Sequence, residues 1–564
     1  MPLSLSDVLE RWKSAHYGLS GLIHEYTNAC TAHERSLQES KPDYDTVSYL
    51  NNLLPSLSKH EDTLRNARLG LAIKTRHLSN AIAPIQKLHP ELQIYIFTLA
   101  TREWISVDFE DLGDKPVSVT LLTSVCSSWR RLLLRSPRFW SNIQIILTGP
   151  SSKKSYQRAA AWVERAQSAP LWLTIIDAIV DEHDITRKPS KQNLSRSFIK
   201  TMTDFCTPII PSVQALSFYI NDCMPAPVVY PLLVGWTRYG SPDVAERLKV
   251  HIDFDIPGLK IPVIFPGVGD SDFPPKDGLP FFKSLRGIYL QHVIVDLSRV
   301  PYSGLTDLHI RFPDQNEGFP TADDLARLLN RNPGLRSLAL ENLFLAPGGP
   351  APPPVALDQL ERLKLDIQQN RDLGRVLSLI YSSSPAIRMV MYMADGNDLE
   401  CVSAARAFFS RTQVTVLFFD GISGLASDNT RDKSPLAALF TNMPRLHTLT
   451  LQACNVSIPV LDQFSQWRGS RDGLKDPWPA LRKLNLLQCR TTPGIARRIV
   501  QGLKLQTLGI CEPLGWKFSP YRSAEWEEPN VRAGVEQELM GNGVKLVWYL
   551  TSHQPNRPAW TLVE

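Results

Sequence analysis

The sequence predicts an α+β protein in which helices come first and a solenoid of alternating strands and helices makes up most of the chain. Apolar residues recur every three or four positions before residue 83, and short leucine-rich strands recur from about residue 213 to residue 511. A hydrophobic fraction of 43% over 564 residues supplies enough apolar surface for large buried cores. We therefore divide the chain into residues 1–83, 84–146, 147–511 and 512–564, the last being a cap on the solenoid.

Residues 1–83 have the periodicity of amphipathic helices. A first apolar stripe alternates steps of three and four residues through Leu5, Val8, Trp12, Ala15, Leu19, Leu22, Tyr26 and Ala29. A second helix is expected after Pro55, where leucines fall seven apart at Leu57, Leu64, Leu71 and Leu78. The second seam is incomplete, since Lys74 occupies one intervening core position, so the pattern favours an antiparallel helical hairpin over a dimeric coiled coil.

Repeated strands dominate the region after residue 146. Four of them share the form L-x-x-L-x-L and begin at Leu335, Leu360, Leu446 and Leu481. Looser copies begin at Val213, Ala245, Leu285, Leu305, Ile387, Val414 and Leu505. The eleven copies advance 292 residues from first to last, about 29 per interval, which is typical of an irregular leucine-rich repeat with one strand and one returning helix per unit. We expect parallel strands in chain order, closed by a strand at Val544–Leu550.

Two cysteines fit the same repeat. Cys454 and Cys489 stand three residues after the last leucine of two copies. The repeat places Asn or Cys at that position, where a small side chain bonds to the turning backbone. We therefore expect a structural role for both, and no redox role.

Residues 85–143 predict two short helices with unusually large apolar surfaces. Pro90 and Glu91 suit the first turn of the first helix, because proline has no amide hydrogen to leave unbonded and an acidic side chain favours the positive end of the helix dipole. One face of the second helix carries Val119, Leu122, Val125, Cys126, Trp129 and Leu133. Two helices of this size do not bury so much apolar surface by themselves, so we expect a partner to cover some of it.

This segment resembles an F-box. The opening pattern L-P-x-E-[IL]-L-x-x-I-F is matched by Leu88, Glu91, Leu92, Ile96 and Phe97, and the later pattern V-C-x-x-W-R, then S-P-x-L-W, is matched by Val125, Cys126, Trp129, Arg130, Ser136, Pro137 and Trp140. His89 stands where the first proline is usual, and Gln93 replaces a leucine. With its helical lead-in and irregular repeats, the chain is similar to a fungal F-box-like family.

The resemblance implies a non-catalytic adaptor of an SCF-type ubiquitin ligase, in which the F-box binds the Skp-type adaptor and the repeats bind the target protein. It assigns adaptor contact to Leu88, Pro90, Glu91, Leu92, Ile96, Phe97, Val125, Trp129 and Trp140. Within that set we expect Val125 and Trp129 to lie mainly in the core of the F-box, and Leu88 and Pro90 to touch the adaptor directly. The alternative is a leucine-rich-repeat scaffold that binds proteins without any coupling to ubiquitination.

Alternation along the strands predicts the target-binding surface, because residues between the leucines face away from the core. On that side we expect an apolar hot spot formed by Met389, Met391, Met393, Val416 and Phe418. Basic residues flank it and would steer an acidic partner, namely Arg247, Lys249, His251, His309, Arg311, Arg362 and Lys364. A slip of one residue in the register would instead place the three methionines in the core.

Other function classes receive no support from the sequence. It has no phosphate-binding G-x-x-x-x-G-K-[ST], no H-E-x-x-H and no G-x-S-x-G, so we expect no enzyme activity and no catalytic, cofactor or metal site. The 61 basic and 56 acidic residues are too balanced to predict a nucleic-acid surface. We expect a cytoplasmic or nuclear protein, since residues 1–16 lack the apolar core of a signal peptide and no C-x-x-C pair occurs.

Overall fold

The structure is a computed structural model that describes residues 5–39, 44–101, 118–147, 152–176, 196–220, 226–252, 279–293, 302–312, 320–347, 351–393, 398–420, 443–452, 480–487, 489, 493–503, 505–512 and 529–550. Its contacts divide the chain into two units, Met1–Gln93 and Ile94–Glu564. The first unit is helical, and the second contains a single large parallel sheet with helices between its strands. The fold is therefore a mixture of helix and strand, as the sequence predicts.

Two long helices make up most of the first unit, α1 at Leu5–Glu39 and α2 at Tyr44–Ile82. Helix α2 begins well before Pro55, which lies inside it, so the expected start after this proline is wrong. Proline removes one hydrogen bond from a helix but does not always end it. At the other end Ala83 is extended with ψ 134°, because a residue that precedes proline, here Pro84, disfavours the helical conformation.

The apolar stripe of α1 is not covered by the described residues. Every side chain of α1 that the structure describes is exposed, including Trp12 at 48% and Leu22 at 63%. On α2, Leu64, Leu71 and Leu78 are exposed as well. Both predicted helices are present, but in the described part of the chain their stripes do not bury each other as the expected hairpin requires.

Three short helices follow, α3 at Pro90–Thr101, α4 at Val119–Val125 and α5 at Ser127–Leu134. The sequence predicts one helix where α4 and α5 lie. The helix is interrupted because Cys126 is extended, with φ −155° and ψ 165°, and its Sγ accepts the backbone N–H of Trp129 at 3.5 Å. Cys126 thus caps α5, and a 3₁₀ turn at Pro137–Trp140 then leads directly into the sheet.

The large sheet runs through the second unit in chain order, with neighbours β1-β2-β3-β4-β5-β6-β7-β9-β11-β12-β13-β14-β15-β16, every pair of them parallel. The strands are β1 Asn142–Ile146, β2 Leu171–Ile176, β3 Val213–Ile220, β4 Arg247–Ile252, β5 Gly287–Gln291, β6 Asp307–Arg311, β7 Ser337–Glu341, β8 Val355–Ala356, β9 Arg362–Asp366, β10 Ile380–Tyr381, β11 Ile387–Tyr392, β12 Val414–Asp420, β13 Thr448–Gln452, β14 Lys483–Leu487, β15 Thr507–Glu512 and β16 Lys545–Leu550. Strands β8 and β10 form a separate parallel pair. The predictions of parallel order and of a closing strand after residue 543 are confirmed.

Helices occupy the connections between many of these strands. They are α6 Ser152–Ala166, α7 Arg196–Cys206, α8 Ala226–Tyr239, α9 Leu279–Ser284, α10 Ala322–Asn330, α11 Asn370–Leu379, α12 Leu399–Arg411, α13 Pro493–Gly502 and α14 Pro529–Gly541. Helix α10 begins with a reciprocal pair of hydrogen bonds between Thr321 and Asp324, which satisfies two amides at the start of the helix. Apolar residues have helical spacing over Ala322–Leu329 and Gly374–Ile380, and helices α10 and α11 cover most of these two ranges.

The sheet has two chemically different faces. On its core face, each strand of the sheet from β1 to β15 contributes two buried apolar residues that stand in register with Leu338 and Leu340 of β7. The opposite face, called the second face below, carries the residues in register with Ser337, Ala339 and Glu341. Because side chains alternate along a strand, the pairing of each strand with its neighbour shows which residues lie on the core face and which lie on the second face.

Side chains at the carboxyl ends of the strands bond back to the preceding strand. His292 and Asn342 both have positive φ, 53° and 51°. The Nδ1 of His292 donates to the carbonyl of Ile252 at 2.8 Å, and the Nδ2 of Asn342 donates to the carbonyl of Phe312 at 3.1 Å. Cys489 is buried, and its Sγ donates to the carbonyl of Leu451 at 3.3 Å, as expected for a structural cysteine. Cys454 lies outside the described residues.

Candidate protein-interaction surfaces

Large aromatic residues form the inside of the helical segment that resembles an F-box. Phe97 of α3 is 1% exposed, and its ring centroid lies 4.6 Å from that of Trp129 on α5. Trp140 is 2% exposed, donates from Nε1 to the carbonyl of Leu133 at 2.9 Å and packs edge-on against Trp162 of α6. Phe97 and Trp140 are therefore interior residues. Their assignment to adaptor contact is wrong, because their bulk is used to hold the helices together.

The remaining assigned residues lie at or near the surface. Pro90, Glu91, Leu92 and Ile96 are exposed on α3, and Leu88 and Trp129 are half-buried. Val125 is 51% exposed, which corrects the expectation that it belongs to the core. It is the last residue of α4, and the chain turns into the extended Cys126 immediately after it, so its side chain is not carried round into the helical interior.

Some exposed apolar residues of this segment were not assigned to contact from the sequence. They are Tyr95, Leu99, Leu121 and Leu134, each more than two-fifths exposed. In the sequence, Leu92, Ile96 and Leu99 are spaced by four and three residues, which indicates that Leu99 shares the helix face of the other two. For Leu121 the sequence gives no such indication, because either Leu121 or Leu122 could lie on the exposed face of the helix. In the structure Leu122 is buried and Leu121 is exposed.

The predicted apolar hot spot is absent. Met389, Met391 and Met393 are each 0% exposed, and Met389 stands in register with Leu363 of β9 and Leu417 of β12. Ile387 precedes Met389 by two residues, whereas Leu360 precedes Leu363 by three, so this copy of the repeat is one residue short. A slip of one residue moves a side chain to the opposite face, which places Met389 and Met391 on the core face.

Val416 and Phe418 do lie on the second face, but they are buried there. Their exposed fractions are 4% and 2%, and Phe418 stands in register between Val390 and Thr450, which are also buried. The ring of Tyr392 lies 6.3 Å from that of Phe418. Neither residue offers an exposed surface to a target.

A buried charge network lies on the second face of β6, β7 and β9. Glu341 accepts hydrogen bonds from Nε2 of His309 at 2.7 Å and from Nζ of Lys364 at 2.8 Å. Side-chain exposure is only 4% for Glu341 and 7% for Lys364. Burial alone would raise the pKa of Glu341, but the hydrogen bond from His309 and the charge of Lys364 outweigh it and hold the pKa well below its ordinary value. Lys364 and His309 are therefore occupied and do not offer charge to a partner.

A second group of cations on this face is arranged differently. Arg247, Lys249 and His251 alternate along β4, and Arg311 stands at the end of β6, all of them half-buried. Aromatic rings lie among them, with the guanidinium of Arg247 5.8 Å from the Trp172 ring and Nζ of Lys249 5.5 Å from the Tyr219 ring. These six residues are called the basic patch below.

No known protein-family model matches the chain, and no curated protein matches it. Within the described residues, none of the helices has the length and apolar character needed to cross a membrane. The candidate surfaces are therefore inferred only from the exposure and the contacts of their side chains.

Proposed function

We propose that this protein is a non-catalytic adaptor that links a bound target to an SCF-type ubiquitin ligase through helices α3–α5. In this proposal the three helices bind a Skp-type adaptor protein, and the parallel sheet and its loops bind the target. The single observation that supports it most is the division of the helical segment into a packed aromatic interior and an exposed apolar exterior. Segments of this size do not leave so many large apolar residues exposed unless a partner covers them.

The exterior supplies residues of the kind that a protein interface needs. Tyr95, Ile96 and Leu99 are exposed on α3, and Leu121 and Val125 on α4. Aromatic and branched aliphatic side chains of this type form the centre of protein–protein interfaces, where truncation of one anchor costs about 2 kcal/mol or more of binding energy. The nearby Glu91 and the exposed Pro90 begin the same helix as Tyr95 and Ile96.

We further infer that the parallel sheet is a leucine-rich-repeat solenoid. Support comes from strands that follow chain order and from two buried apolar residues on the core face of each sheet strand from β1 to β15. The hydrogen bonds from His292, Asn342 and Cys489 to the preceding strand give three of the repeats a defined contact with the previous one. Each repeat of a solenoid buries its apolar face only against its neighbours, which fits this pattern.

Co-purification with a recombinant Skp-type adaptor tests the proposal on the full chain. Changing Leu92 and Ile96 together to Asp should abolish co-purification, because both residues are exposed and the charges would be desolvated at an interface. A matched control is Leu399→Asp, which places the same charge on a leucine that is 77% exposed on α12. Circular dichroism should show that both variants stay folded.

Two outcomes contradict the ligase proposal. The wild-type chain would fail to bind any Skp-type adaptor in a direct assay, or Leu399→Asp would reduce binding as much as the double variant does. In the first case the scaffold function, in which the repeats bind proteins without ubiquitination, takes its place.

A further inference from the structure

Basic residues are in excess on only part of the second face. On β2–β6 the charged residues of this face are Arg247, Lys249, Asp307 and Arg311, with His251 and His309 beside them. On β7–β12 the acidic residues Glu341, Asp366 and Asp420 are balanced by Arg362, Lys364 and Arg388. The excess of positive charge therefore lies on β2–β6.

Arg247 and Arg311 are the two cations on which binding of an anion at the basic patch would depend most. Neither of them has an ion pair with a carboxylate in the described part of the chain, whereas Arg362 is paired with Asp307 at 3.3 Å. Small neighbours surround Arg247, since Ala215 of β3 and Gly287 of β5 stand in register with it. A Cβ added to Gly287 would lie 3.3 Å from Cγ of Arg247, so the side chain fills space that glycine leaves free.

The aromatic rings hold these cations at the surface. The guanidinium of Arg247 lies close enough to the Trp172 ring, and Nζ of Lys249 to the Tyr219 ring, for the rings to attract both cations. The Trp172 ring is fixed in turn by a hydrogen bond from its Nε1 to Oε1 of Gln214 at 3.0 Å. Ordering the cations beforehand lowers the entropy cost of binding an anion.

We propose that the basic patch binds an acidic polypeptide segment of the target. This proposal rests on the proposed function for the identity of the target, but the binding itself does not require the ligase. The cations of the patch lie on β4 and β6, two strand spacings or roughly 10 Å apart, a distance that a short run of carboxylates can span. A nucleic acid fits less well, because its phosphate backbone would continue along the sheet to β9, where Arg362 is already paired with Asp307 and Lys364 with Glu341.

Fluorescence anisotropy of the full chain with short labelled peptides tests this. A peptide of alternating Glu and Gly should bind, and the matched Gln–Gly peptide should not. Binding should weaken with added salt, because the charges are partly exposed. Changing Arg247 and Arg311 together to Glu should weaken binding by about tenfold or more, equivalent to a loss of about 1.4 kcal/mol.

Arg388→Glu is the matched control, since Arg388 lies on the same face of β11 but outside the patch. Equal loss from Arg388→Glu would show attraction by net charge and would overturn the proposal, as would equal binding of the Gln–Gly peptide. Tighter binding of a single-stranded oligonucleotide than of the Glu peptide would also overturn it. A phosphoserine–Gly peptide that binds more tightly than the Glu peptide, with the same loss in the Arg variant, supports the patch and identifies phosphate as the preferred anion.

The peptide assay and the adaptor co-purification test two separate proposals, and one can fail without the other. The Arg247 and Arg311 variant should still co-purify with the Skp-type adaptor, because the patch lies on the sheet and not on α3–α5. If the peptide binds and no Skp-type adaptor does, the proposed function is wrong and the patch remains. If the adaptor binds and the peptide does not, only the patch is wrong.

A different observation concerns α1. Its exposed stripe repeats every 3.5 residues on average, which is the period of two helices that supercoil around each other. The side chains Val8, Trp12, Leu19, Leu22 and Tyr26 on this seam are between 37% and 63% exposed. Among the described residues, none of α2 covers these side chains.

We propose that a second copy of this chain covers the stripe through a parallel coiled coil of α1 with α1. In such a pair, Arg11 would flank His16 of the other copy and Glu25 would flank Cys30, so the positions beside the seam bring no like formal charges together. The α1 helix is 35 residues long, or roughly 52 Å, which is five heptads and about a third of one supercoil turn.

Light scattering of the full chain tests the second copy. The wild type should have twice the chain mass of 63.4 kDa, and changing Leu19 and Leu22 together to Asp should return it to the single mass. Ser20→Asp with His24→Asp is the control, because these residues lie on the opposite side of the helix. A wild type that stays at the single mass throughout the micromolar range overturns the proposal, and so does equal dissociation of the control.

Discussion

The amino-terminal helices and the parallel sheet both carry regularly spaced leucines, but these are exposed on the helices and buried in the sheet. On α1 the stripe residue Leu22 is 63% exposed, while on β9 the strand residue Leu363 is fully buried. An inner strand of the sheet has another strand on either side and packs its apolar residues against those of the adjacent strands. Among the described residues, helix α1 has no such neighbour. Periodicity determines which side of an element is apolar, and burial also needs a partner held in place.

The largest effect is expected where the sheet buries charge instead of leucine. Changing Glu341 to Ala should lower the free energy of unfolding by about 3–5 kcal/mol, because it leaves the ammonium of Lys364 buried without its counter-charge. Urea unfolding followed by circular dichroism measures this. The double change of Glu341 to Leu and Lys364 to Met should recover most of the loss, and an equal loss in the double variant would show that packing matters more than charge.

A somewhat smaller effect is expected from a core leucine of the sheet. Leu363→Ala should lower the free energy of unfolding by about 2–5 kcal/mol, since the side chain is fully buried and leaves a cavity. The same urea titration applies. A loss below about 1 kcal/mol would mean that the sheet collapses around the cavity and that its repeats are packed more loosely than the burial indicates.

The pH dependence separates the buried carboxylate from exposed ones. The pKa of Glu341 is lower in the folded chain than its ordinary value of about 4.3. Its stabilising contribution is therefore complete above that ordinary value and is lost as the pH falls below it toward the folded pKa. Glu341→Gln should reduce the acid sensitivity of the unfolding free energy below about pH 4.3. Glu361→Gln, the same change at a glutamate with a 61% exposed side chain, is the matched control.

The smallest effect is expected on α1. Leu22→Ala should change the free energy of unfolding of the sheet by no more than about 0.5 kcal/mol, because the side chain has little contact to lose within the chain. The comparison with Leu363→Ala is made at low protein concentration, where any association through α1 is minimal. A loss above about 1 kcal/mol at that concentration would show that the stripe is buried after all and would remove the contrast between the two regions.

The sequence by itself determined the parts of this protein that depend on local pattern. It placed the strands that begin near Leu335, Leu360, Leu446 and Leu481, put them parallel and in chain order, and assigned Cys489 to the turning backbone. These inferences work because strand alternation and repeat spacing are properties of neighbouring residues.

The tertiary structure alone decided register, charge pairing and the two sides of the helical segment. One residue missing before Met389 reversed the faces of β11, and no local pattern reports such a slip. Glu341 meets His309 and Lys364 across strands that lie 32 and 23 residues away in the chain, so the basic character read from the sequence is neutralised there. Phe97 lies inside because its ring packs against Trp129 of α5. Val125 lies outside because α4 ends there, at the extended Cys126. The sequence alone does not distinguish these positions, since both are apolar.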